Sequence, residues 1–505
     1  MLIVKLVVTI SIALVFIVGG GVIVGIAPGI IHQLVRDSLI LDTPTSMMYK
    51  SFKNNSDSVN VYTVYHLFNL TNWVDVVFNG KDPILQEVGP YVYLTVKWRD
   101  EANISWHPDA TISYNYHTHY EFLPEMSVGD VNADLVTTPD LGKIGVLTKM
   151  MNNYTLHPKL MDLAYFLLPN AFITLTVQEV LFGYRNLFLI EVDAILKYEN
   201  QSCCYDPVVN LQTQDDNQTV TALTAQFTGG QASPDLPQVS DRDINKLTQW
   251  AGFKVLPYWN TSYANMINGT DGSVFYPGIT ESDRPYVFVD SLFRSTVLSS
   301  RGTTEFKGVD LIRFTLSRET MLDYHHNPAN EAFYMDTTGF IPQPPTFDHP
   351  IWISKPYFLD ANQSEVHVTT IPNDGNDRER YDTYICVEPI TGEVFKVNKR
   401  VQINTKFILN ETVPASYAST TWYPVAWLEE RMEMPDNLVD KFKHSILLPL
   451  HAAIGSGIAA VCVGGLMILL GVPLIVVLDR RARRSLIPEE DRLRDNLNNV
   501  KYATI

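Results

Sequence analysis

The chain has 505 residues with 38 Lys and Arg against 55 Asp and Glu, a formal charge of −17 at neutral pH. That acidic balance excludes a nucleic-acid-binding role, because phosphates are met by a basic surface. Cysteines number four, so stability need not rest on disulfides in a chain long enough to bury a large core.

The first element is a charge-free run over residues 6–27. Twenty-two residues at ~1.5 Å rise cover about 33 Å, enough to cross a hydrocarbon core of about 30 Å. A cleaved signal peptide has an apolar core of only about 7–15 residues. Pro28 also follows the small residues Gly25 and Ala27 at once, so the run reads as an uncleaved signal anchor behind a short N-terminus, residues 1–5.

Residues 28–445 then form one ectodomain. β-Branched and aromatic residues concentrate in 59–68, 91–98 and 111–120, which predicts strands. From 141 to 185 the spacing becomes helical: Ile144, Leu147, Met150 and Met151, then Leu160, Leu163, Phe166 and Leu167, with Pro158 and Pro169 dividing the stretch. A small helical cluster inside a mainly β domain is expected. The clearest strand is 397–407, where Val401, Ile403, Thr405 and Phe407 alternate with Arg400, Gln402, Asn404 and Lys406, the pattern of a half-buried strand. Pro389 to Gly392 supplies a turn, so 381–387 should pair with that strand antiparallel.

The second span is residues 446–478, in which only His451 is ionisable. Arg480, Arg481, Arg483 and Arg484 follow it, which places the tail, residues 479–505, in the cytoplasm. Two spans put residues 1–5 on the same side and the ectodomain outside. The Asn-x-Ser/Thr acceptors Asn54, Asn69, Asn103, Asn153, Asn200, Asn217, Asn260, Asn268, Asn362 and Asn410 all fall between the spans, as that topology requires. Removing the seven basic and five acidic residues of the tail, and Lys5, leaves 30 basic and 50 acidic residues outside, about −20.

No nucleophile elbow, zinc-protease or phosphate-loop motif occurs, and no cofactor site is expected. Cys203, Cys204 and Cys386 are an odd number in a compartment that permits disulfides; a bridge within the vicinal pair and one from that pair to Cys386 are both open. His117 and His119 share one strand face without a third metal ligand, so a plain sheet surface is the better reading. Asp374 to Asp377 lacks the ligand pattern of a calcium loop and reads as a turn. Gly21 and Gly25, with Gly457, Gly464 and Gly465, suit close packing of the two spans or of two chains in a homo-oligomer.

The chain resembles the class B scavenger receptors, a family that includes the fatty-acid translocase and the type-two lysosomal integral membrane protein. The residues that carry the resemblance come in order. Gly89-Pro90-Tyr91 is similar to an early GPY motif. Thr176 to Tyr184 reads TVQEVLFGY against TxxELLWGY. Tyr258-Trp259, Met266 to Asp271 and Phe275 match YW…MINGTD…F, and Phe293-Arg294-Ser295 follows where the family has Cys-Arg-Ser. Ile353 to Leu359 reads ISKPYFL against ISxPHFL, and Glu388 to Gly392 is EPITG.

The resemblance implies an irregular antiparallel β-barrel core, a helical bundle at the membrane-distal apex where residues 141–185 fall, and an apolar tunnel leading to the bilayer. Two departures stand out. Residues 260–385 contain no Cys, with Ala264 and Phe293 where the family has cysteines, so packing must hold that region. The segment 165–172 has no basic residue where receptors for anionic particles carry a basic patch, which argues against capture of such particles.

The expected activity is receptor and transporter rather than enzyme. The ligand is a lipid (sterol, fatty acid or phospholipid) entering near apical residues His157, Leu160, Leu163, Phe166, Leu167 and Phe172. The alternative is a sorting receptor that carries a lysosomal hydrolase on the same residues; packing inside the bundle would account for the stripe equally. His157 could switch binding between neutral and acidic pH, although an ordinary surface histidine is the simpler reading. Tyr502-Ala-Thr-Ile505 at the C-terminus matches the signal that clathrin adaptors read as an extended strand, and Leu486-Ile487 is a weaker dileucine-type candidate. Late endosomes or lysosomes are the expected location, with the plasma membrane second.

Overall fold

The computed structural model describes residues 2–41, 43–44, 49, 52–53, 59–99, 101–152, 171–198, 208–211, 220–228, 240–345, 350–371, 377–406 and 422–485. They divide into two compact units, Met1–Val35 with Asp436–Ile505, and Arg36–Pro435.

The first unit is two long helices, Leu2–Leu39 and Asp436–Arg483, both long and apolar enough to cross a membrane. The N-terminal helix runs through Pro28 and past the apolar run. Apolarity marks only the part that suits hydrocarbon, whereas backbone hydrogen bonding carries the helix further. The helices touch through small residues. A Cβ on Gly20 would lie 2.4 Å from the Gly457 carbonyl oxygen, and one on Gly464 would lie 2.6 Å from that of Ala13. Gly21, Gly25 and Gly465 have open space instead. The contact thus uses Gly20 rather than the GxxxG pair, because helix rotation selects which glycines face the partner.

The second unit is built on eleven main strands: β1 Val61–Leu70, β2 Ile84–Arg99, β3 Thr111–Phe122, β4 Val220–Phe227, β5 Leu247–Gln249, β6 Tyr286–Val289, β7 Arg294–Phe306, β8 Val309–Leu316, β9 Tyr384–Val387, β10 Val394–Lys406 and β11 Trp422–Glu433. Their order in the sheet is β5-β4-β3-β2-β1-β11-β10-β9-β8-β7-β6, with short strands branching from it. Two antiparallel meanders, β1–β5 and β6–β11, are therefore joined through the first strand and the last. The expected β9–β10 pair forms, with Tyr384 opposite Asn398. Its turn is locked by Glu388, whose carboxylate accepts from the Thr391 N–H and hydroxyl, both at 2.7 Å.

The sheet curls strongly. The Tyr116 hydroxyl on β3 donates to Asp290 Oδ2, just past β6, at 3.3 Å. β3 and β6 are eight strand steps apart in the sheet order, roughly 38 Å in a flat sheet. Between the end strands lies Gly269-Thr270. The Leu247 N–H of β5 donates to Gly269 O at 2.8 Å, and the Phe288 N–H of β6 donates to Thr270 O at 2.9 Å. A Cβ on Gly269 would stand 2.0 Å from the Tyr286 carbonyl oxygen, so only glycine lets the strands approach. Trp250 and Phe288 pack across the same seam at 5.5 Å.

The alternation on β10 departs from expectation. Arg400, Gln402 and Asn404 are the buried residues, and Val401 and Ile403 keep more surface. The segment around Ser354–Tyr357 covers the polar side and satisfies it. Gln402 Oε1 accepts from the Tyr357 N–H at 2.8 Å, Asn404 Nδ2 donates to Ser354 Oγ at 3.0 Å, and Arg400 donates to Glu429 and to the Asp382 carbonyl, each at 2.8 Å.

The stretch from 141 to 185 is mixed. Helices Leu141–Asn152 and Val177–Phe182 flank a strand, Phe172–Thr176, that pairs with Leu135–Pro139. Thr176 and Glu179 form a capping box that starts the second helix. Aromatic packing replaces the missing cysteines: Ala264 is buried, and Phe293 contacts Trp250 and Tyr258 at 5.6 and 5.2 Å while its carbonyl accepts from Trp259 Nε1 at 2.8 Å.

Candidate functional site

Among the described residues, apolar clusters on the inner face of the curled sheet surround a group of charged side chains. Lys399 on β10 stands opposite Glu430 on β11, Nζ to Oε2 3.4 Å. Period-two alternation sets Lys399 between Val397 and Val401, and Glu430 between Leu428 and Met432, all four packed against interior clusters. Lys97 from β2 and Asp290, held by Tyr116, complete the group electrostatically.

Burial pushes the Glu430 and Asp290 carboxyls up, but Lys399 and Lys97 outweigh it and hold both below the ordinary carboxylate range. Burial likewise pushes Lys399 down, and Glu430 and Asp290 more than offset this. Both carboxylates therefore stay ionised at neutral and mildly acidic pH, and two lysines against two carboxylates sum to zero. Although protein surrounds them, the Lys399 and Glu430 side chains retain 28% and 31% of their accessible surface.

Aromatic residues line one side of this node. Tyr65 meets Tyr93 edge-on at 5.6 Å and Phe182 at 6.3 Å. The Tyr65 hydroxyl is buried without a hydrogen-bond partner. Elsewhere in this unit, Arg294 is buried with Nε and one terminal nitrogen unsatisfied, its guanidinium 3.4 Å from the Phe333 ring centroid. Burial alone lowers it to about 9.

A second polar cluster lies where β1, β2 and β11 meet Tyr357. Glu87 accepts from Trp427 Nε1 at 3.0 Å and from the Tyr357 hydroxyl, and bonds His66 Nδ1 at 2.9 Å. His66 stacks on Trp427 with ring centroids 3.9 Å apart. Burial raises the Glu87 carboxyl, but these hydrogen bonds prevail and keep it below its usual range. The cluster is fully engaged in holding the sheet to the ISKPYFL segment.

Among the described residues, no group of three His, Cys, Asp or Glu could hold a metal. His117 stacks on Trp98 at 5.2 Å, in keeping with a sheet surface.

The predicted site residues are placed unevenly. His157, Leu160, Leu163, Phe166 and Leu167 lie outside the described residues, as do Cys203, Cys204, Leu486, Ile487, Tyr502 and Ile505. Phe172 sits in a strand, its ring 5.6 Å from Tyr423, and so packs against the sheet rather than on a helix. Cys386 is a free, buried thiol within β9, which sets aside the second of the two open pairings, the bridge from the vicinal pair to Cys386. Of the glycan acceptors, Asn103, Asn260 and Asn362 are exposed and Asn69 and Asn268 half-buried; Asn54, Asn153, Asn200, Asn217 and Asn410 lie outside the described residues. The charged node escaped the sequence reading. Its signal was there: Lys399 occupies the same face as Val401 and Ile403, one charge on an apolar alternation.

The model of the CD36 family matches residues 10–475. Lysosome membrane protein 2 of Mus musculus is 27% identical over 433 residues, 82% of this chain and 83% of that protein. The Homo sapiens protein of that name is 28% identical over 403 residues, 76% and 77% of the two chains. Scavenger receptor class B member 1 of Rattus norvegicus is 25% identical over 462 residues, 90% and 86%. With two helices long and apolar enough to cross a membrane, one near each end of the sequence, a curled antiparallel sheet in the segment between, and a family match over nearly its whole length, the chain belongs to the CD36 family.

Proposed function

We propose that the protein is a lipid receptor and transporter whose sheet encloses a sterol, fatty acid or phospholipid and passes it to the membrane. The observation that carries this reading is the inner face, where apolar clusters surround charged side chains that are enclosed yet keep open surface. Space inside the sheet would account for that combination, and apolar lining contributes about 25 cal/mol per Å² of ligand surface covered. Closure of the sheet through Gly269-Thr270 into a barrel-like body, with helices Leu141–Asn152 and Val177–Phe182 beside it, completes the architecture of this reading. No covalent chemistry is required.

The compartment proposed is the late endosome or lysosome, supported by the likeness to lysosome membrane protein 2 and by the tail signal Tyr502-Ala-Thr-Ile505. Extraction and mass analysis of the purified ectodomain, residues 28–445, tests the reading. Retained lipid is expected. A lipid-free ectodomain with a bound hydrolase, lost on Leu163→Asp, would overturn it in favour of a sorting receptor. Tyr502→Ala should move the protein to the cell surface; an unchanged vesicular distribution would remove the tail signal.

A further inference from the structure

We propose that Lys97, Lys399, Asp290 and Glu430 form an internal site for a zwitterionic lipid head group, a phosphate paired with an ammonium. This rests on the lipid reading above and narrows its ligand class. The four side chains come from both meanders: strand pairing sets Lys399 against Glu430 at 3.4 Å, and the curl of the sheet brings in Asp290, held at 3.3 Å by Tyr116. The node is charge-balanced and embedded among apolar residues.

Charge balance decides which head group fits. An anionic head would add an uncompensated charge in a poorly solvated interior, which costs several-fold to many-fold in affinity. A sterol hydroxyl would engage one partner and leave the other charges as they were. A zwitterion sets its phosphate against the lysines and its ammonium against the carboxylates, and the sum stays zero.

The test uses the full-length protein in detergent with two photoactivatable phospholipids of identical chains and a head-proximal diazirine, one phosphatidylcholine and one phosphatidylglycerol. Labelled peptides are mapped by mass spectrometry, and labelling of the two spans serves as the standard for surrounding lipid. Peptides of β2, β10 and β11 should be labelled by phosphatidylcholine at least about tenfold over phosphatidylglycerol. Glu430→Gln should shift that preference toward phosphatidylglycerol, and Lys399→Met should weaken labelling by both. A changed preference in one variant and a loss of labelling by both probes in its neighbour cannot come from a common folding defect, and matching melting temperatures check this directly. Equal labelling by both probes, or one preference shared by all three proteins, overturns the head-group site while leaving the lipid reading standing. Absence of ectodomain labelling by either probe, with the spans labelled, overturns both.

Discussion

The Tyr116 hydroxyl reaches Asp290 across the interior of the sheet, joining strands 174 residues apart in sequence. The bond ties the two meanders together beside Lys399 and Glu430. Tyr116→Phe should cost about 1 kcal/mol, the net worth of one hydrogen bond. Asp290→Ala should cost about 3 kcal/mol or more, because it also strips a counter-charge from Lys399. Urea unfolding of the two variants measures the gap; equal losses would argue that Asp290 is not part of the charged group.

Arg294 offers a test in the opposite direction. Its guanidinium is buried over Phe333 and has no carboxylate partner among the described residues. Arg294→Met should therefore raise stability by about 1–3 kcal/mol at neutral pH. The sign of its pH dependence follows from the lowered value of about 9. The unfolded chain holds this proton more tightly, so the penalty is complete below about pH 9 and relaxes as pH rises toward the ordinary arginine range. Melting temperatures of wild type and variant should converge on going alkaline, and a destabilised variant at pH 7 would refute the argument.

Asp323 supplies an acid-side prediction. Its carboxylate accepts from the Thr338 hydroxyl at 2.5 Å and from His326 Nδ1 at 2.8 Å, and these bonds, with the one from Thr338 largest, lower it to about 2. A lowered carboxyl contributes stability that is present above the unfolded value of 3.8 and lost as pH falls toward about 2. Asp323→Asn should cost about 2 kcal/mol at pH 7, with the difference closing across that acid window. A gap that persisted at the acid end would show that shape, not charge, matters there.

Gly392 ends the EPITG turn with φ +77°, and a Cβ there would lie 2.4 Å from the Phe275 carbonyl oxygen. Gly392→Ala should cost about 3 kcal/mol. Gly252 has φ +81° but open space, so Gly252→Ala should cost only about 1 kcal/mol. Denaturation midpoints of the two variants separate close approach from backbone strain.

In the membrane unit, Gly457→Leu should weaken association of the two helices by about tenfold, whereas Gly25→Leu should leave it unchanged. Association of the isolated spans in a bilayer reporter reads this difference, and equal effects would dismiss the Gly20–Gly457 contact.

The sequence alone determined the two long apolar helices and the strands with strong local pattern. Those properties depend on the length of an apolar run and on side-chain period, both of which act over a few residues. The motifs likewise marked turns whose chemistry is local: Glu388 to Gly392, and the capping box of Thr176 and Glu179. Only the tertiary structure decided what those elements face. The alternation on β10 was legible, yet its polar side proved the more buried, because the Ser354–Tyr357 segment, some fifty residues away, supplies its hydrogen bonds. Gly20 displaced the GxxxG pair because the rotation of two packed helices is a property of both. The charged node is the clearest case. Lys97, Asp290, Lys399 and Glu430 are each an unremarked charge on a separate strand or turn. Strand pairing alone sets Lys399 against Glu430, but Asp290 joins them only when an eleven-strand path curls far enough for Tyr116 to touch it.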